Sequence, residues 1–138
     1  MIISDDPEAI RRVLIGSKTI AVVGCSNKPD RDSYQIAASL IDRGFDVIPV
    51  NPGATEILGR KCYPDVKSIP QKVDIVDVFR APEHIPPIAD DAIAAKAECL
   101  WLQSGIVHDA AAKKASDAGL YVVQDRCIAT LLRTLVRK

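Results

Sequence analysis

Five short apolar runs recur along the chain, at Ile20–Val23, Phe45–Val50, Val73–Phe79, Cys99–Leu102 and Leu120–Val123, each rich in Val, Ile or Leu. Most lack the alternation of a strand with one wet face, which is the pattern of strands covered on both sides. Their ends recur about every 21 to 28 residues, close to the ~30 of a strand-helix-strand unit. Between them the period becomes helical. From Tyr34 to Arg43, Ile36, Ala37, Leu40 and Ile41 form one stripe. Asp32 and Gln35 have the spacing of a capping box, and Gly44 suits the left-handed stop. Ile88, Ala89, Ala92 and Ile93 follow Pro86-Pro87, which suits a first turn, and Ala111, Ala112, Ala115 and Ala118 before Gly119 predict a small-faced helix close to a sheet. An amphipathic helix at Pro7–Leu14 opens the chain, and Asp125 is placed to cap a last helix through Leu135. Residues 51–69, broken by Gly53, Gly59 and Pro64, predict loops with a short turn or helix. With right-handed crossovers, this order predicts an α/β fold: a doubly wound, parallel, five-stranded sheet with helices on both faces.

At 138 residues, 48% hydrophobic and 26% charged, the chain suits one domain over residues 1–138. Its 18 Lys plus Arg balance 18 Asp plus Glu, so no global basic field is available for nucleic acid or an anionic membrane. Any anion must be held locally. The start turns acidic by the fifth residue, unlike a secretory signal, and no apolar run approaches the ~20 residues of a membrane span. The expectation is a soluble, cytoplasmic protein. Cys25, Cys62, Cys99 and Cys127 stand far apart, without C-x-x-C pairs, which predicts reduced thiols and no metal site.

In an open parallel sheet, ligands bind outside the carboxyl ends of the strands. After the first run comes Gly24-Cys-Ser-Asn-Lys-Pro-Asp-Arg-Asp-Ser33, which leads into a helix whose amides and positive dipole end face that edge. Gly24 permits a sharp turn, Ser26 and Ser33 offer hydroxyls, and Lys28 and Arg31 bring positive charge that Asp30 and Asp32 partly cancel. The plainer reading is a solvated loop whose Ser and Asp residues make turns, although such loops usually need only 2–6 residues. The dinucleotide fingerprint G-x-G-x-x-G fails, since Ser26 and Pro29 stand in place of its second and third glycines.

The second run ends Val50-Asn51-Pro52-Gly53, where an NAD site places Asp or Glu on the ribose hydroxyls. A carboxylate 4 Å from a phosphate would cost ~4 kcal/mol per unit charge product at an effective dielectric near 20. Neutral Asn51 removes that cost, so an adenosine ribose bearing a phosphate fits better than plain NAD, with coenzyme A (CoA) and NADP as candidates. Asn51 serves equally well as a turn cap. The third run delivers Phe79 and Arg80 to the same edge, Phe79 as core or as adenine wall and Arg80 as a phosphate ligand. Asp77, inside an apolar strand, reads as an acceptor for loop amides. Gln103 and Gly105 either meet a polar ligand or form a simple turn. His84 and His108 read as surface or capping residues.

The segments AVVGCSNKPDRDSY, VIPVNPG, ILGRKCYPDV, VDIVDVFRAPE, WLQSGI and VVQDRC span nearly the whole chain. Together they resemble the stand-alone CoA-binding proteins of the YccU-like family, whose domain is similar to the nucleotide-binding domain of the succinyl-CoA synthetase α subunit. The resemblance implies a Rossmann-like fold in which Gly24, Ser26, Lys28 and Arg31 hold the diphosphate and Asn51, Pro52, Phe79 and Arg80 surround the adenosine part. The synthetase's second domain with its phosphorylated histidine has no counterpart here, so its ligase reaction is not implied.

These readings leave a non-catalytic module that binds CoA or an acyl-CoA, as a carrier, a sensor, or a subunit docking to a partner enzyme or to a second copy. An NADP-linked oxidoreductase is the alternative, resting on fold analogy alone. A smaller third reading is a mixed disulfide between CoA and a protein thiol, with Cys127 better placed than Cys25.

Overall fold

The computed structural model describes residues 1–136. Helix α1 (Pro7–Gly16) precedes strand β1 (Thr19–Val23), helix α2 (Asp32–Asp42) and β2 (Asp46–Val50). A hairpin of β3 (Glu56–Ile57) and β4 (Arg60–Lys61) and a 3-10 turn at Val66–Ser68 lead to β5 (Ile75–Val78). Then come α3 (Ile85–Ala94), β6 (Cys99–Leu102), α4 (Asp109–Asp117), β7 (Tyr121–Val123) and α5 (Ile128–Leu135). The five long strands fall on the five apolar runs. They form one parallel sheet in the order β2-β1-β5-β6-β7, the Rossmann-like arrangement expected.

Alternate residues of each strand feed two cores. Ala21, Val23, Val76, Val78, Leu100 and Leu102 point to the face covered by α3 and α4. Ile20, Val22, Ile75, Cys99 and Trp101 point to the face covered by α1, α2 and α5. Burial on both sides is why the strands read as continuous apolar runs. The alanine stripe does what small residues allow: Ala111, Ala112 and Ala115 are buried and bring α4 close against the sheet. On the other face Ala37 and Leu40 seat α2, and truncating a buried Leu such as Leu40 to Ala costs about 2–5 kcal/mol.

Three local expectations are corrected. No capping box forms: α2 begins at Asp32 with Arg31 as an N-cap that lacks a side-chain bond, and Gln35 instead donates to the Pro29 carbonyl at 3.2 Å. Asp125 does not cap α5. It adopts a left-handed conformation (φ 59°) and accepts from the Gly105 amide at 2.6 Å, tying together the turns after β6 and β7. Residues 51–69 contain, besides the expected short helical turn, the β3–β4 hairpin. Its two-residue loop Leu58-Gly59 has positive φ at both positions (55° and 73°), which fits the twist of paired strands even though Leu pays strain there.

The chain passes from β1 to β2 on one side and then crosses to β5 on the other side of β1. The connections leaving β1 and β5 therefore diverge to opposite faces, and a crevice opens at their carboxyl ends.

Candidate functional site

The turn after β1 is built backbone first. Gly24 takes φ 80°, a left-handed conformation that a side chain disfavours, and the Gly24 and Cys25 amides both donate to the Val50 carbonyl, at 3.0 and 3.3 Å. Asn51 then locks two loops together. Its Nδ2 donates to the Cys25 carbonyl at 2.9 Å and its Oδ1 accepts from the Gly53 amide at 2.8 Å. So Asn51 is a turn residue and also presents no charge at this edge. Further along, the Ser26 amide donates to Ser33 Oγ at 2.9 Å and the Lys28 amide to Ser26 Oγ at 3.0 Å, which curls the loop over the start of α2.

At that start the first amide with a helical acceptor is Gln35, bonded to the Arg31 carbonyl at 3.1 Å. The amides of Asp32, Ser33 and Tyr34 therefore have no intrahelical partner, and no side chain caps them. Lys28 and Arg31 are exposed beside them and Arg80 is half-buried. Among the described residues none of these three cations lies within ion-pair distance of a carboxylate. Free amides, a positive dipole end and, among the described residues, cations without carboxylate partners stand together at this turn, beside the exposed Asp30 and Asp32.

The turn after β5 interlocks with this one. The Phe79 amide donates to the Val23 carbonyl at 2.8 Å, Phe79 packs partly into the core beneath α2, and the Arg80 side chain passes over Gly24. Gly24, Ser26, Lys28, Arg31, Ser33, Asn51, Phe79 and Arg80 thus meet at the point where the strand order reverses, with Pro52 exposed next to Asn51. Gln103, at the end of β6, is buried and turned elsewhere: its Oε1 accepts from the Ile128 amide at the start of α5, at 3.1 Å. His108 caps α4, its Nδ1 accepting from the Ala111 amide at 3.1 Å, and His84 is exposed.

Asp77 corrects another expectation. It is fully buried, opposite Val22 and Trp101 in register, and neither carboxylate oxygen has a hydrogen-bond partner, so it accepts from no loop amide. Burial, followed by the nearby Cys127, pushes its pKa well above the usual carboxylate range. The thiols also differ among themselves. Burial drives Cys25 up to about 12, with Cys62 and Asp77 adding to it, and burial likewise raises Cys99 and Cys62. At Cys127 burial is outweighed by the Thr130 hydroxyl and amide, the Gln103 side chain and the Ala129 amide, which lower the pKa. Sequence reasoning missed this contrast, because burial is set by strands far apart in the chain.

A cavity of about 510 Å³ lies at the opposite edge of the sheet, lined by Met1, Arg12, Asp74, Glu98 and Tyr121 among others. Helix carboxyl ends point that way, and its acidic residues outnumber the cationic ones, so it suits an ester phosphate less than the β1–β5 crevice does.

A sheet whose order reverses at β1, with an uncapped helix start at the reversal, defines an α/β domain of the Rossmann-like class. The chain belongs to the CoA-binding domain family, whose model matches residues 18–133. It is 40% identical over 119 residues to the uncharacterized protein YneT of Bacillus subtilis, covering 86% of this chain and 88% of that one. A hypothetical protein from Pyrococcus horikoshii OT3 superposes with a TM-score of 0.92 at 41% identity, over 95% of this chain and 92% of that one. Acetate--CoA ligase [ADP-forming] II of Archaeoglobus fulgidus is 37% identical over 78 residues, which is 55% of this chain but 11% of the ligase. The chain thus matches only a small part of that enzyme.

Proposed function

We propose that this protein binds CoA or an acyl-CoA and does no chemistry alone, acting as a carrier, a sensor or a module that docks to a partner enzyme or to a second copy. One observation carries the reading: the open amides of α2, the unpaired Lys28, Arg31 and Arg80, and the uncharged Asn51 converge at the β1–β5 crevice. In this reading the amides of Asp32, Ser33 and Tyr34 with Lys28 and Arg31 hold the diphosphate. Arg80 takes a phosphate oxygen in its planar fork, and Phe79 flanks the adenine. Asn51 contributes by carrying no charge, so a ribose phosphate meets no carboxylate. Family membership supports CoA as the ligand class.

The imidazole at this edge, His108, is committed to capping α4, which leaves it poorly placed for the acid-base step of a hydride transfer. No helix of the described residues is long and apolar enough to cross a membrane. Scanning calorimetry with CoA, dephospho-CoA, NADP and NAD in parallel tests the reading. Ligand at a hundred times its Kd adds ~2.7 kcal/mol of stability. CoA should give the largest shift, reduced when the ribose phosphate is missing and reduced again by salt. No shift with CoA at millimolar concentration would end the proposal.

A further inference from the structure

The cavity of about 510 Å³ at the amino edge of the sheet shares no residue with the β1–β5 crevice, and its volume falls within the roughly 300–1,000 Å³ of small-molecule sites. One wall is a stripe of α1. Ala9, Val13 and Gly16 stand three or four residues apart and so share one side of the helix. The other wall comes from the starts of β5, β6 and β7, through Asp74, Glu98 and Tyr121. Tyr121 is 41% exposed, and Ala9 and Val13 are half-buried, so an apolar body finds surface to cover here.

The charges are unequal once each is followed to its partner. Asp6 accepts from the Ala9 amide at 3.1 Å, and the Met1 amino group donates to the Leu120 carbonyl at 2.8 Å. Arg12 turns back along α1, its Nε 3.7 Å from the Glu8 carboxylate. Glu98 has Lys72 at 3.1 Å on one oxygen, a pair so exposed that it is worth little. Asp74 Oδ2 accepts from the Lys18 and Thr19 amides at 2.8 and 3.0 Å, while Oδ1 enters no hydrogen bond among the described residues. The end of α1 adds to this negative side. Gly16 is its last residue, Ser17 follows in an extended conformation, and no basic residue stands in the last turn. Ser17 Oγ donates to the Val13 carbonyl at 2.7 Å, but the carbonyls beyond it keep the negative end of the helix dipole beside the cavity.

From this arrangement we propose that the cavity is a second ligand site and that it takes an organic amine, an ammonium group carried on an apolar or aromatic body. The N–H donors of the ammonium meet Asp74 Oδ1, Glu98 and the closing carbonyls of α1. The body lies against Ala9, Val13 and the Tyr121 ring, whose face also attracts a cation. A carboxylate or phosphate on the same body meets like charge instead. The inference stands apart from the CoA reading, since the two sites lie at opposite edges of the sheet.

The experiment titrates the full chain with phenethylamine and with hydrocinnamate, which share a phenyl ring on a short alkyl arm and differ in carrying an ammonium or a carboxylate. Heteronuclear NMR follows the resonances and thermal melts follow the fold. Phenethylamine should shift Val13 and Tyr121 and bind roughly tenfold more tightly than hydrocinnamate, the order that charge-assisted hydrogen bonds give. Glu98→Gln, at an exposed position that leaves the fold intact, should weaken phenethylamine severalfold and hydrocinnamate not at all. A Cβ on Gly16 meets nothing within 4 Å, so Gly16→Phe should fill the cavity and remove the Val13 and Tyr121 shifts at an unchanged melting temperature. Gly16→Ala, whose side chain is too small to fill the space, should keep them. Saturating CoA should leave the phenethylamine shifts in place. Equal affinity for the two probes, shifts at Lys28, Arg31 and Arg80 instead, or no shift with phenethylamine at millimolar concentration would overturn the inference. Absence of a melting shift with CoA would count against the crevice reading alone.

Discussion

The Arg80 side chain occupies the space that a methyl group on Gly24 would need. A Cβ built on Gly24 stands 2.8 Å from Arg80 Cδ and 2.9 Å from the Phe79 carbonyl oxygen. Gly24 is therefore required twice, by its φ of 80° and by the close passage of the β5 exit. Gly24→Ala should cost about 1–2 kcal/mol for the left-handed conformation alone, and more for the collision. Gly44→Ala meets nothing within 4 Å and should pay the conformational part only. Urea unfolding of both variants checks this. Adding Arg80→Ala to Gly24→Ala should restore only part of the loss, since the Phe79 carbonyl stays in place.

Asn51→Asp replaces a donor with an acceptor against the Cys25 carbonyl and puts a carboxylate at the edge. The lost bond and the unsatisfied carbonyl should cost about 1–3 kcal/mol of stability. Calorimetric titration should show CoA affinity falling further than in Asn51→Ala, with the difference shrinking as salt rises. Equal affinities in the two variants would remove Asn51 from the electrostatic account.

Charge-assisted hydrogen bonds contribute about 1.5–3 kcal/mol, and 1.4 kcal/mol is tenfold in Kd. Lys28→Ala and Arg31→Ala, at exposed positions, should weaken CoA binding toward the lower end of that range. Arg80→Lys should also weaken it, because a point charge replaces a planar fork. Among the described residues neither Lys28 nor Arg31 has an ion-pair partner to lose, so the melting temperatures of these variants without ligand should stay near that of the parent. Unchanged CoA titrations in all three variants would contradict the proposed phosphate site.

Asp77 carries a pH signature. Its folded pKa is raised, by burial first and by Cys127 second, so the native state keeps a proton that the unfolded chain releases. Its contribution is complete below the ordinary carboxylate pKa and is lost as pH climbs through the window up to the raised folded pKa, at up to ~1.4 kcal/mol per pH unit. Asp77→Asn keeps the shape without the titration. Its stability relative to the parent should improve as pH rises above the ordinary carboxylate pKa, as followed by thermal melts. Parallel profiles would show that Asp77 ionises with a partner.

Much of the architecture was written into local pattern. The five apolar runs, the Gly44 stop, the Pro86-Pro87 helix start and the alanine face of α4 were legible because each depends on residues a few positions apart, and burial on both faces leaves a strand no polar alternation. The residues that form the turns after β1, β2 and β5 were legible for the same reason, as they follow strand ends directly. What tertiary structure alone decided lies across the sheet. The Arg80 chain over Gly24, the Asn51 hydrogen bond to the Cys25 carbonyl, the missing partner of Asp77 and the difference between Cys127 and its buried counterparts all depend on segments far apart in the chain. Periodicity reports which face of an element is apolar. It says nothing of which neighbour fills that face, and hydrogen bonding, desolvation and thiol acidity are set by that neighbour.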